Sequence, residues 1–173
     1  MKKIYIVLSY TGTILSKLIK VRTSEKYCHV SIAFDEELEE MYSFGRLNPY
    51  NAFFGGFVTE GKNFGTFKRF KNTQIALYRL EVTDGQYYDL ENIIKNIKTN
   101  KQEYKYNIKG LALAGINKGK SREDRFYCAE FVKYVLAKAN IDVEDLPRVV
   151  KPGDFKNLRD AQLVYESYLK HYR

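Results

Sequence analysis

Histidine and cysteine are scarce in this chain, two of each in 173 residues, and no CxxC or CxxxxH spacing occurs. Structural zinc sites gather ligands in closely spaced pairs, so the scarcity argues against a metal, and no cofactor is expected. One disulfide between Cys28 and Cys128 is formally open. Without an export signal, a reduced pair is at least as good an expectation. Long apolar runs are also lacking: no stretch of about 18 apolar residues could form a transmembrane segment. The opening "MKKIYIVLSYTGTILSKLIK" is broken at Ser9, Tyr10, Thr11 and Gly12, so it reads as a strand rather than a signal peptide. A cytoplasmic protein follows as the expectation. There is no internal repeat, no low-complexity tract, no RRM-type string and no helix-turn-helix pattern. The formal charge of +8 therefore does not by itself call for nucleic acid. Clusters such as "KNIKTNK" and "NKGKSR" read as solvated helix ends and a loop.

What is present suits one compact domain over residues 1–173, with 45% apolar residues to build its core. "KIYIVLSY" is β-rich and stops at "TGT", and "ILSKLIKV" follows with the spacing of one helical face. "YCHVSIAFD" alternates: Cys28, Val30, Ile32 and Phe34 point one way, His29, Ser31 and Ala33 the other. "MYSFGRL" is a further strand. "NPYNAFFGGFVTEGKNFGTF" is rich in Gly, Asn and Phe and reads as an ordered loop covering part of a cleft. "TQIALYRLEV" is a strand, and "TDGQYYDLENIIKNIKTNK" a helix that Thr83 or Asp84 could cap. "YKYNIKGLALAGI" is a shorter helical piece, and a helix over about 127–139 carries Cys128. "LPRVVKPGDFKNL" ends in a short helical turn, and "AQLVYESYL" is the last strand. The sum is α+β, an antiparallel sheet with helices segregated to one side.

The candidate chemistry lies in "RFYCAEFVKYVL". Cys128, Phe131, Val132, Val135, Leu136 and Ala139 form a continuous apolar face, so Cys128 alone reads as core. Its place in the first turn supports another reading. Unpaired N–H groups and the positive end of the helix dipole favour a thiolate there, and can receive the oxyanion of an acyl-transfer intermediate. Such a nucleophile needs a base. His171 is the third residue from the C-terminal end and reads as solvated, which leaves His29, flanked on its face by the small Ser31 and Ala33. Cys28, on the apolar face, reads as structural.

"HVSIAFD…MYSFGR" followed by "FYCAEFVKYVL" resembles the circularly permuted, papain-like branch of the NlpC-type cysteine peptidase and amidase superfamily, which includes the lecithin:retinol acyltransferase relatives. A His strand comes first there, and the nucleophile at a helix start comes roughly a hundred residues later, as in this chain. The likeness takes in "YIVLSYTGTILSKLIK", "YKYNIKGL" and "KPGDF…LVYESYL". It implies a papain-like fold with Cys128 as nucleophile and His29 as base. The family's orienting residue falls on the strand after the His strand, at Ser43, with Glu40 less well aligned. A serine hydroxyl cannot stabilise an imidazolium as a carboxylate does, so this position departs from the family pattern. The loop of Tyr10, Thr11 and Gly12 is expected to border the cleft and bind substrate. The resemblance implies a thiol hydrolase, an amidase or peptidase acting on a small-molecule or peptide-like amide or an ester through an acyl-enzyme. A lipid acyltransferase is a variant of the same chemistry, and a weakly active or inactive binding module with a basic surface for an acidic ligand is the rival.

Overall fold

The computed structural model describes residues 1–13, 25–48, 51–114 and 124–172. The helix expected in "ILSKLIKV" lies outside these residues. Strands β1 (Lys2–Tyr10), β2 (His29–Ala33), β3 (Met41–Asn48), β4 (Asn51–Glu60), β5 (Gln74–Val82) and β8 (Gln162–Tyr168) form one sheet in the order β4-β3-β2-β1-β5-β8, with every neighbouring pair antiparallel. The helices are α1 (Gly65–Arg69), α2 (Asp84–Thr99), α3 (Ile108–Ala114) and α4 (Cys128–Lys138). Two short strands, β6 (Lys105–Tyr106) and β7 (Arg125–Phe126), pair in parallel just before α3 and α4.

The central strands are buried on both faces, which is why "IYIVL" is a nearly continuous apolar run rather than an alternation. From β1, Ile4, Ile6 and Leu8 join Val30, Ile32 and Phe44 in the larger core beneath α2 and α4. Tyr5, Val7, Ala33, Met41 and Leu77 build a smaller core on the opposite face, where Phe67 of α1 joins them. The helices are therefore not all on one side as the pattern implied: α1 packs on the second face, because Phe67 is its one buried residue and seats there.

Helix α2 begins in a reciprocal cap: Gln86 N–H donates to Thr83 Oγ1 at 3.2 Å and Thr83 N–H to Gln86 Oε1 at 3.0 Å. Helix α4 buries Cys128, Ala129, Phe131, Val132, Val135 and Leu136 and packs against β2, α2 and β3. Phe131 meets Phe44 and Phe57 at ring-centroid distances of 5.2 and 5.8 Å, which fixes the height of α4 over the sheet. Two expectations from the pattern change here. The glycine-rich stretch after "SFGR" is not a loop but β4, paired with β3 from Asn48↔Asn51 to Met41↔Glu60, followed by α1. The start of "YKYNIKGL" is β6, not helix, because Lys105 and Tyr106 pair with β7.

Candidate active site

The pleat of β2 sets the first member of the site. Val30 and Ile32 enter the core beneath α4, so His29 and Ser31 share the other face of the strand. His29 is the first residue of β2, at the end of the strand, with 21% of its side chain exposed. Gly45 of β3 lies beside the ring: a Cβ at that position would stand 3.5 Å from His29 Cε1, an ordinary van der Waals contact.

The β3–β4 hairpin then returns a carboxylate to the same place. Glu60, the last residue of β4, is buried, and its Oε2 accepts from His29 Nε2 at 2.9 Å and from Ser31 Oγ at 2.8 Å. The Cys128 side chain lies within interaction range of the same imidazole, and both line one cleft. With Nε2 committed to Glu60, Nδ1 is the ring nitrogen left for the sulfur. The charges agree with this geometry. Burial pulls the His29 pKa down, but the Glu60 charge and the interactions with Cys128 and Glu60 outweigh it, and the ring stands well above its usual 6.5. Burial would raise Glu60, yet the His29 charge and the bonds from His29 and Ser31 hold its carboxyl below the usual 4.5.

Cys128 opens α4 with 4% of its surface exposed. Tyr127, the N-cap residue, offers no side-chain hydrogen bond to the first turn. Instead, Glu130 accepts from Tyr127 N–H at 3.3 Å and from Asn107 Nδ2 at 2.9 Å, while Asn107 Oδ1 accepts from Gly110 N–H at 2.9 Å. This latch joins the starts of α3 and α4.

His29, Glu60 and Cys128 open into a cleft of about 440 Å³. Tyr106 of β6 forms part of its wall, within electrostatic range of Cys128 and Arg46. Its ring lies flat against Gly55, where an added Cβ would come within 2.5 Å of Tyr106 Cγ. Burial, then the Cys128 charge, raise the phenol pKa well above 10, so its O–H keeps its proton.

Of the residues singled out from the sequence, His29 and Cys128 are brought together. Ser43 is not with them: this buried hydroxyl donates to the Val30 carbonyl at 2.7 Å, the nearest acceptor on the neighbouring strand, and Glu60 takes the position beside the ring. Glu40 is exposed, accepting from Tyr42 Oη at 2.5 Å. Thr11 lines the cleft together with Thr13, whereas Tyr10 packs on the larger core and Gly12, at φ 71°, turns the chain between the two threonines. Cys28 is buried, but in the cleft wall and outside both core clusters. His171 is exposed, against Tyr168 at 6.0 Å between ring centroids.

Glu60 and Tyr106 were not picked out in the sequence. The signal for Glu60 was the strand-like "GFVTE" ending in an acid, masked by the glycines before it. Tyr106 offered none beyond its place in "YKYNIKGL". No protein-family model matches the chain, and no curated protein matches it significantly. Among the described residues, no group of three His, Cys, Asp or Glu could hold a metal ion, and no helix is long and apolar enough to cross a membrane.

Proposed function

We propose that the protein is a thiol-dependent amide hydrolase of the permuted papain-like, NlpC-type class, with Cys128 as nucleophile, His29 as general base and acid, and Glu60 as the carboxylate that orients and charges the imidazole. The single observation that carries this reading is the convergence of Cys128 and Glu60 on one imidazole from opposite ends of the chain's order. A buried carboxylate beside a histidine raises its affinity for a proton, which is what a base receiving a thiol proton needs.

The Cys128 S–H proton passes to His29, and the sulfur forms a bond to the substrate carbonyl carbon. The carbonyl oxygen becomes an oxyanion, for which the first-turn amides of α4 and the Tyr106 hydroxyl are suitable donors. On collapse the C–N bond breaks, and the amine leaves with the proton that His29 held. Water, deprotonated by the same ring, then attacks the thioester, releasing the acid and restoring the thiol. The lining includes Phe57, Phe70 and Leu111, which suit an apolar portion of the substrate.

The test is alkylation of native protein by iodoacetamide near pH 7, read site by site by mass spectrometry. Cys128 should react about tenfold or more faster than a model thiol, and replacing His29 by glutamine should abolish the excess. Reaction of Cys128 only after unfolding would leave the binding module as the better reading.

A further inference from the structure

We propose that the cleft selects substrates carrying a carboxylate or phosphate close to the scissile carbonyl, with Arg46 and Arg69 as the cations that recognise it. This rests on the hydrolase reading and adds to it the class of substrate.

The wall of the cleft is unevenly charged. Arg46 of β3 and Arg69 of α1 line it from two different elements, and Glu60 is the one acid among the described lining residues. Glu60 is already committed to His29 and Ser31, so it offers no balance to a charge in the cleft. A ligand entering this space therefore meets the charges of Arg46 and Arg69, while a protonated His29 is matched by Glu60 beside it. Low-dielectric walls lined with one sign of charge concentrate the field inside a cleft.

The polar groups between the cations point the same way. Thr11, Thr13 and Thr66 bring hydroxyls to the lining, and Arg46 Nη2 donates to Thr13 Oγ1 at 3.4 Å, a long contact. Hydroxyls and guanidinium forks together are donors for an oxyanion with several acceptor positions, and arginine meets carboxylate and phosphate in the same two-pronged geometry. The cations share the cleft with the reacting atoms: Arg46, Arg69, His29 and Cys128 all line it. An anionic group held by Arg46 would thus lie in the same cleft as the carbonyl under attack, not at a remote surface.

Iodoacetate and iodoacetamide differ by this charge and react at the same sulfur, so the ratio of their rates at Cys128 reads the cleft's preference without requiring turnover. The ratio should exceed that of free cysteine, fall about tenfold in the R46Q/R69Q double variant, and weaken with added salt. R46K/R69K, which keeps the charge, should retain most of it, and thermal melting of each variant reports that it is folded. Arg159, exposed and paired with Asp142 and Asp145, supplies the control: R159Q removes one positive charge elsewhere and should leave the ratio unchanged. Paired glutamyl and glutaminyl anilides, and phosphoseryl and seryl anilides, then separate carboxylate from phosphate. A ratio equal in the wild type and the folded double variant overturns the proposal even if Cys128 is highly reactive. A slow iodoacetamide reaction at Cys128 counts instead against the hydrolase reading.

Discussion

The imidazole of His29 is held on one side by a carboxylate and on the other by a thiol, and the value of each contact can be separated by substitution. Replacing Glu60 by glutamine keeps a hydrogen-bonding group near Nε2 but removes the charge. The His29 pKa should then fall, measured by NMR titration of the ring, and the alkylation or hydrolysis rate at Cys128 should drop about 10²- to 10⁴-fold. Glu60→Asp should recover part of both. Ser43→Ala gives the contrast: it loses a buried hydrogen bond to Val30, costing about 1 kcal/mol in chemical denaturation, with no change in the His29 titration. Equal effects of the two substitutions on the ring would return Ser43 to the site.

At this scale the sequence was legible where residues are rare. Two histidines and two cysteines leave few pairings, and the first turn of an apolar helix marks Cys128. Glu60 was hidden because it is one of 21 acidic residues and follows a glycine-rich stretch with weak strand patterning. Only the register of β4 against β3 brings it beside the ring.

Among the elements, β4 is the one on which the site most depends, since it supplies Glu60 at its end and, at Gly55, the surface against which Tyr106 lies. The two glycines facing site residues should differ sharply. Gly45→Ala meets Val58 Cγ2 at 3.4 Å and His29 Cε1 at 3.5 Å, ordinary contacts that a small adjustment absorbs. Gly55→Ala would meet the Tyr106 ring at 2.5 Å and the Gly45 carbonyl oxygen at 2.9 Å, so the ring must leave its position. Gly55→Ala should therefore lower the rate at Cys128 about tenfold or more, with Gly45→Ala within about twofold of wild type, in parallel rate and melting measurements. Strongly patterned elements such as β1, β5, α2 and α4 could be read from periodicity and caps. Strands β6 and β7 could not, because two-residue strands carry no period and exist only through their pairing.

For the whole molecule, the His29–Glu60 pair links folding to pH. His29 is raised above 6.5, so its contribution is complete below that pH and is lost as pH rises through the folded-state value. Glu60 is lowered below 4.5, so its contribution is complete above that pH and is lost as pH falls through its folded-state value. The pair therefore stabilises most between pH 4.5 and 6.5. Melting temperature followed across pH should show this window in the wild type and a flatter profile in Glu60→Gln; identical profiles would show that the pair contributes nothing to folding. The α+β class and the antiparallel sheet were legible from strand patterning. The placement of α1 on the second face was not, because one buried phenylalanine in a five-residue helix gives no directional pattern.

The order of the parts along the chain has a consequence for biosynthesis. The acid–base couple is complete once β4 has been made, whereas the sulfur arrives 68 residues after Glu60, on a helix that must still dock over β2 and β3. On the hydrolase reading, a nascent polypeptide therefore carries the ring and its counter-charge well before it carries the thiol they would activate, and reactivity would be switched on by the closing of the fold itself.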